Sequence, residues 1–316
     1  MDKNSILILK KILFLYHRQM PSATVVTALF DMGRQNIDNR SMDDYFNWFE
    51  KTLSLNAKFV VFIHDTFYDR LKDIIDKHQF WSRVYVIITK LEEIPCYKYL
   101  KKISKIMQNQ QYQNCVRYYG RLETKEPLYP VIIFSKFEWV KQAIQLNPFN
   151  SEYFFWMDAG LSRFFPEGVN ISNSWPELNS NWSHVLNNKI LLEGQKNGNC
   201  PYFVFEYPEA LWESYHCSEH CLIPAGLFGG NQTNMLWFAE AIDKNLNSML
   251  DMNIINNEQI VIALVWKSNP ERFTLCLNDS HISNQVIISF KALSKNGSFD
   301  MENTDKQHNC LYSSLQ

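Results

Sequence analysis

Polar side chains lie at the ends of several apolar runs of the sequence. At these places a buried strand would end or a buried helix would start. The clearest case is Asp158, which directly follows the run YFFWM. Parallel strands end at one edge of a sheet, and ligands bind there, so we expect these side chains to converge on one rim. A carboxylate at such a place binds a hard cation or a sugar hydroxyl, or it only caps a turn. The residues concerned are Asp31, Asp65, Asp158, Glu258 and Gln259.

The apolar runs alternate with segments of helical spacing, which is typical of a parallel sheet with crossover helices. The fold class predicted from this pattern is α/β. Buried parallel strands are expected at residues 25–29, 59–63, 84–88 and 153–157, because these runs are apolar on both faces. Helices are expected at residues 43–55, 69–78, 98–114, 134–146 and 232–249, and a helix or buried segment at 256–266. The remaining expectations are a loop-like region at 166–199, a strand at 202–205 and a glycine-bearing turn at 224–230.

Composition excludes some classes of partner. The 316 residues carry a formal net charge of −2, so no single-sign field exists to attract nucleic acid. Seven cysteines are an odd count, and a reducing compartment is expected. The apolar stretch at residues 5–16 is interrupted by Lys10 and Lys11 and is too short to span a bilayer. We therefore expect a cytoplasmic protein, with peripheral contact at the inner face of the cytoplasmic membrane left open.

Common catalytic motifs are missing from the sequence. The glycine turn lacks the G-x-G-x-x-G pattern of dinucleotide-binding folds, and no P-loop, H-E-x-x-H or G-x-S-x-G motif occurs. Residues 216–221 contain two His and two Cys, which are zinc-binding residue types. Four tetrahedral ligands are hard to arrange within one and a half helical turns, so a surface turn is the favoured interpretation.

Five segments of the sequence resemble, in order, those of the HtrL/YibB-type bacterial protein family. They are TVVTALFDMGR at residues 24–34, RSMDDYFNWFE at 40–50, FFWMDAGLSRF at 154–164, AGLFGGNQ at 225–232 and NNEQIVIALVWKSNPERFTL at 256–275. The resemblance implies a glycosyltransferase-like GT-A (Rossmann-like) fold with a mainly parallel sheet. It also implies a hexosyltransferase-like enzyme of surface polysaccharide or lipopolysaccharide biosynthesis, with a nucleotide-sugar donor and a glycan or lipid-linked acceptor.

The same resemblance implies a domain organisation. One large domain would span residues 23–285, with a nucleotide-binding half at about 23–165 and an acceptor half at about 166–285. Residues 1–22 would form an N-terminal extension, and residues 286–316 a polar tail.

The donor-binding residues follow from the resemblance. Thr27, Asp31 and Arg34 would line the nucleotide pocket. Arg34 and Arg40 would neutralise the diphosphate, because a guanidinium forms two parallel hydrogen bonds to phosphate oxygens. Lys136 would also reach a phosphate. We expect Asp31, Arg34, Lys136 and Asp158 to line one cleft.

The reaction centre would use further residues. Asp158 would hold a divalent cation, Mn²⁺ or Mg²⁺, that stabilises the leaving diphosphate. No acid lies two residues from Asp158, which departs from the usual paired-acid motif and puts strict metal dependence in doubt. Gly160 would let a ligand approach the backbone, and Gly229 and Gly230 would let the acceptor-side loop pass close to the sugar. Glu258 would act as general base in an inverting reaction.

Two other classes of function stay open at this point. One is a non-catalytic relative that binds a sugar or nucleotide. The other is a metal-dependent hydrolase or nucleotidyltransferase with the same sheet.

Overall fold

The computed structural model describes residues 22–115, 122–164, 186, 188–196 and 221–278. The apolar stretch at 5–16, the strand predicted at 202–205 and all of the His/Cys cluster except Cys221 lie outside these residues.

The described residues form one sheet of eight strands. In chain order they are β1 (Ala23–Leu29), β2 (Lys58–His64), β3 (Val84–Thr89), β4 (Tyr153–Met157), β5 (Ile190–Lys196), β6 (Cys221–Leu222), β7 (Leu227–Asn231) and β8 (Phe273–Asn278). The spatial order is β3-β2-β1-β4-β7-β5-β6, and β8 pairs with β5. β6 and β7 run antiparallel to the other six strands. The predicted α/β class, with its first four strands in one mainly parallel sheet, is confirmed.

Helices fill the connections between the strands. They are α1 (Gln35–Asp38), α2 (Met42–Leu53), α3 (Tyr68–His78), α4 (Leu100–Met107), α5 (Gln110–Cys115), α6 (Leu122–Lys125), α7 (Leu128–Leu146), α8 (Gln232–Asp251) and α9 (Glu258–Ser268). Short 3₁₀ turns lie at Asp65–Phe67, Phe80–Ser82, Leu91–Glu93, Pro95–Tyr99, Leu161–Phe164 and Pro270–Arg272. No helix in this described part of the chain is both long and apolar enough to cross a bilayer.

Apolar side chains cover both faces of the sheet at β1, β2 and β4, which explains why these strands are mainly apolar runs. Val26 and Phe154 point into a core shared with α7 and α8. Their neighbours Val25 and Phe155 point into the opposite core, which α2 and α3 cover. The sheet is therefore the middle of three layers.

Two predictions about the second half of the chain were wrong. The predicted glycine turn is in part strand β7, where Gly229 lies opposite Phe155. A Cβ on Gly229 would lie 2.3 Å from Phe155 Cδ1, so a glycine lets this strand pair with the bulky β4. The predicted loop contains β5, a short apolar run that ends in polar residues and that pairs with strands distant in sequence.

The order of the first four strands creates a crevice. The chain moves outward from β1 to β2 and β3, and then returns to the other side of β1 as β4. Such a reversal is a topological switch point, where the connections leave the sheet in opposite directions and ligands bind outside the carboxyl ends of the strands.

Candidate functional site

A cavity of about 170 Å³ opens at this switch point. The carboxyl ends of β1 and β4 form its floor, and one face of α7 forms a wall. The first residues of α9 and the segment preceding β7 close it on the side of β4. The cavity therefore lies where the strand order predicts a ligand site.

A buried lysine organises the charges of the cavity. Lys136 is only 6% exposed, and its ammonium donates to Glu258 Oε1 at 2.9 Å and to the Ala225 carbonyl at 3.3 Å. Its Nζ also lies 3.0 Å from Asp158 Oδ1. Burial alone would lower the pKa of Lys136, but the two carboxylates outweigh this effect and raise it above its ordinary value. Lys136 is therefore a permanent cation with an acceptor for each of its three protons.

Asp158 is held in place by its own strand and by the next one. Its backbone N–H donates to the Gly226 carbonyl at 2.9 Å, which extends the pairing of β4 with β7. Its Oδ1 accepts a hydrogen bond from the Trp156 indole at 2.7 Å, besides its contact with Lys136. The side chain keeps 43% of its surface exposed. One oxygen is thus committed to the protein, while the group as a whole faces the opening.

Glu258 is the first residue of α9, where the helix dipole favours a negative charge. Asn257 caps this helix by accepting a hydrogen bond from the Ile260 N–H. Glu258 is 3% exposed, and its Oε2 has no hydrogen-bond partner; neither has Oε1 of Gln259. A buried acceptor without a donor costs about 1–3 kcal/mol, so these two oxygens would gain from a ligand that donates hydrogen bonds.

Two arginines add positive charge to the same cavity. Arg34 enters it from the loop after β1, and Arg163 from the 3₁₀ turn after Asp158. The Arg163 guanidinium lies 5.4 Å from the centre of the Trp48 ring. Arg163 keeps an exposed portion, but partial desolvation lowers its pKa, and the neighbouring charge of Arg40 lowers it further. An anion bound between the guanidinium groups of Arg34 and Arg163 would relieve their mutual repulsion.

Aromatic side chains form the wall beside these charges. Trp139 of α7 stacks on Phe30 and on Trp156, with ring centres 5.2 Å and 6.0 Å apart. Burial raises the pKa of Tyr129, and the Glu258 carboxylate raises it further, so this hydroxyl stays neutral and able to donate. A Cβ on Gly160 would lie 2.9 Å from Arg163 Nη1 and 3.2 Å from the Tyr45 ring, so Gly160 permits close packing at the rim.

The structure brings together five of the ten site residues predicted from sequence. Arg34, Lys136, Asp158, Gly160 and Glu258 line the cavity, and Gln259 lies beside them. Their roles in binding and catalysis stay predictions.

The other predicted residues lie elsewhere. Thr27 is completely buried within β1, and Arg40 is half-buried outside the cavity lining. Asp31 is exposed and accepts a hydrogen bond from the Gly33 N–H at 2.8 Å, so it stabilises the turn after β1. Gly229 and Gly230 are buried in β7, where their lack of a side chain serves packing rather than an approach to the cavity. Asp65 at the end of β2 also lies outside the lining.

Several lining residues were missed by reasoning from sequence. Tyr129 lies seven positions before Lys136, and Trp139 lies three positions after it. This helical spacing would have placed both on the same face of α7 as Lys136. Arg163 lies five residues after Asp158, in the same quoted segment. Gly226 belongs to the glycine segment, but its place next to Asp158 depends on pairing between distant strands.

The cavity residues fit a divalent cation poorly. Mg²⁺ and Mn²⁺ prefer several oxygen ligands, often one or two carboxylates together with waters and phosphates. Among the residues that the structure describes, no three His, Cys, Asp or Glu side chains are grouped to hold a metal. Asp158 and Glu258 are the nearest pair to such a site, and both contact the Lys136 ammonium. A metal between them would have to displace this cation.

Comparisons with known proteins agree with the sequence resemblance. A curated relative, Protein HtrL of Escherichia coli (strain K12), is 22% identical over 269 residues, which cover 80% of this chain and 87% of that protein.

Similar solved structures include the apo crystal structure of mouse Xyloside xylosyltransferase 1, with a TM-score of 0.39 and 11% identity, covering 81% of this chain and 84% of that one. Another is the 4-diphosphocytidyl-2C-methyl-D-erythritol synthase of Anaerococcus prevotii DSM 20548, with a TM-score of 0.37 and 10% identity, covering 87% of this chain and 98% of that one. TM-scores this low leave the functional argument to the residues of the cavity.

A family model described as "Bacterial protein of unknown function (HtrL_YibB)" matches residues 21–283. The match spans all five segments on which the sequence resemblance rests. The chain therefore belongs to the HtrL_YibB family.

Proposed function

We propose that the cavity binds a nucleotide sugar and that the protein transfers its sugar to a glycan or lipid-linked acceptor. The observation that carries this proposal is the charge arrangement at the switch point. Two arginines and the carboxylate pair with its lysine line one cavity at the carboxyl ends of β1 and β4. The arginines suit a diphosphate, and the carboxylates suit sugar hydroxyls.

The donor diphosphate would bind to Arg34 and Arg163. Hydrogen bonds to a charged partner contribute about 1.5–3 kcal/mol each, and a guanidinium matches the geometry of phosphate oxygens. The aromatic wall of Trp139 and Trp156 offers apolar surface beside the charges. The three protons of Lys136 already have acceptors, so a direct phosphate contact from Lys136 would require one of its present bonds to break.

Glu258 is our candidate for the general base. Its Oε2 is without a partner, which leaves an acceptor available for the hydroxyl proton of an incoming acceptor. Lys136 holds the other oxygen and fixes the orientation of the carboxylate. In an inverting reaction, Oε2 would take the proton as the acceptor oxygen attacks the anomeric carbon. The nucleoside diphosphate would leave from the opposite face.

A binding protein without transferase activity is the second candidate. The observation that favours it is the ion pairing of both carboxylates with Lys136, which occupies the groups that a reaction would need. The two candidates agree on donor binding and differ only in turnover.

The test has two stages. Calorimetry with a panel of nucleoside diphosphates and nucleotide sugars should find at least one ligand, and binding should weaken in Arg34→Ala. Transfer of a labelled sugar to cell-surface glycan or lipid-linked acceptors should then occur with wild-type protein and be lost in Glu258→Gln, with donor affinity not weakened. Absence of binding by every nucleotide would refute the proposal. Binding without transfer to any acceptor would favour the second candidate.

A further inference from the structure

We infer that Lys136 is the built-in cation of this site, so that nucleoside diphosphates bind to the cavity without a divalent metal. The inference rests on the proposed function for the identity of the ligand. What it adds is that binding does not depend on a metal. The geometry around the Lys136 side chain is the evidence for this.

The first step is the position of the ammonium. Lys136 Nζ lies within 3.0 Å of one oxygen of Asp158 and one oxygen of Glu258. A divalent cation shared by these two carboxylates would need the same space. The Ala225 carbonyl, 3.3 Å from Nζ, completes a three-oxygen environment that suits a primary ammonium.

The second step is the permanence of this cation. Lys136 lies in the middle of α7 among buried neighbours, and only 6% of its surface is exposed. Its stem passes the Trp156 ring, with Nζ 5.8 Å from the ring centre. Displacing the ammonium would leave the buried Glu258 carboxylate without its partner, which costs several kcal/mol.

The third step is the charge balance. Asp158, Glu258 and Lys136 together carry one negative charge, and Arg34 and Arg163 bring the cavity to one positive charge. Without Lys136 the same cavity would carry no net charge, and two carboxylates would repel a diphosphate. Lys136 thus supplies the neutralisation that a metal supplies elsewhere.

The wild-type protein provides the first test. We expect nucleoside diphosphates to bind with affinities that agree within about twofold in excess EDTA and in about 1 mM MnCl₂. The reason is that the Lys136 ammonium already provides the cation of the site. Electron paramagnetic resonance of Mn²⁺ titrated with protein alone should reveal no stoichiometric site. Stoichiometric Mn²⁺ binding, or a tenfold or larger loss of nucleotide affinity in EDTA, would overturn the inference.

A variant provides the second test. Lys136→Met frees the two carboxylates, so Mn²⁺ alone should bind at least tenfold more tightly than to wild type. Lys141→Met is the matched control, because Lys141 lies on the same helix, is partly exposed and pairs only with Glu138 among the ion pairs described. Mn²⁺ binding equal to that of the control would contradict the proposed position of the cation. If Lys136→Met does not fold, the wild-type measurements still decide.

The outcomes separate the two proposals. Nucleotide binding that depends on metal overturns only the role of Lys136. Absence of nucleotide binding in both EDTA and Mn²⁺ refutes the proposed function, and the gain of Mn²⁺ affinity in the variant still tests the cation's position.

Discussion

Removal of the buried cation should destabilise the protein in a way that a second substitution reverses. In Lys136→Met, the Glu258 carboxylate keeps its charge at 3% exposure but loses its partner. Breaking a buried ion pair from one side costs about 3–5 kcal/mol. Met fills most of the vacated volume, and the 43% exposed Asp158 is rehydrated, so we expect a loss of about 3 kcal/mol.

The reciprocal change should cost less. In Glu258→Gln, Lys136 keeps Asp158 and the Ala225 carbonyl, so about 1–2 kcal/mol is expected. The double variant Lys136→Met/Glu258→Gln leaves no uncompensated buried charge and should lose only about 1 kcal/mol. The shortfall from additivity, about 3–4 kcal/mol, measures the coupling between the two side chains.

Urea unfolding followed by tryptophan fluorescence provides the measurement, since the chain has nine Trp. The slopes must agree between variants for the midpoints to be compared. Lys141→Met, at a partly exposed pair, should change stability by less than about 0.5 kcal/mol. A loss below about 1 kcal/mol in Lys136→Met, or strict additivity in the double variant, would refute the argument that this pair is buried and coupled.

The pH dependence follows from the direction of the pKa shift. The pKa of Lys136 is raised in the folded protein above its ordinary value of 10.5. Its contribution to stability is therefore complete below pH 10.5 and is lost only as the pH rises through the folded value. The difference between wild type and Lys136→Met/Glu258→Gln, which lacks both titrating groups of the pair, should stay constant between about pH 7 and pH 9.

Three shorter predictions address other parts of the structure. Arg34→Ala should weaken nucleoside diphosphate binding by about 10- to 100-fold in calorimetry, because a charge-assisted contact worth about 1.5–3 kcal/mol is lost. Gly229→Ala should destabilise the fold by about 1–3 kcal/mol, because its Cβ would overlap Phe155. Gly230→Ala should cost less, since the nearest contact of its Cβ would be 3.0 Å. Equal losses of stability in urea unfolding would contradict this packing. Burial raises the pKa of Cys96 to about 12, so iodoacetamide at about pH 8 should label it only after unfolding, as measured by peptide mass spectrometry.

The sequence predicted the parallel part of the sheet well, for a physical reason. Strands β1, β2 and β4 are buried on both faces, so each is a mainly apolar run, and that signal is local. β3 is also mainly apolar, although its Tyr85 and Ile88 side chains are exposed. β5 and β8 were missed because they pair with each other and depend on contacts distant in sequence. Gly229 illustrates the same limit, since its packing against Phe155 exists only once β4 and β7 are paired.

The same limit applies to the candidate site: its local sequence signals could be predicted, and its long-range contacts could not. Asp158 and Glu258 could be chosen from sequence because each follows or begins an apolar segment at an expected edge of the sheet. Their connection through Lys136 could not be predicted from sequence, because the hydrogen bond from Lys136 to Glu258 joins residues 122 positions apart. Asp31 has the same sequence signal as Asp158 yet bonds its own turn. A strand-terminal acid therefore indicates a candidate position, and tertiary contacts decide its partner.

The position of Lys136 also bears on why the cavity is charged at all. Replacing a buried ion pair with apolar residues of similar volume is often neutral or stabilising, so stability gives little reason for a lysine on the buried face of α7. The neighbours of Lys136 on that face, such as Val140 and Ala143, are apolar, as a helix packed on a sheet requires. A lysine there has a clearer physical reason when it faces a cavity that must hold two carboxylates and still accept an anion. If Lys136→Met loses affinity for nucleoside diphosphates while the double variant retains nearly full stability, Lys136 serves the ligand rather than the fold.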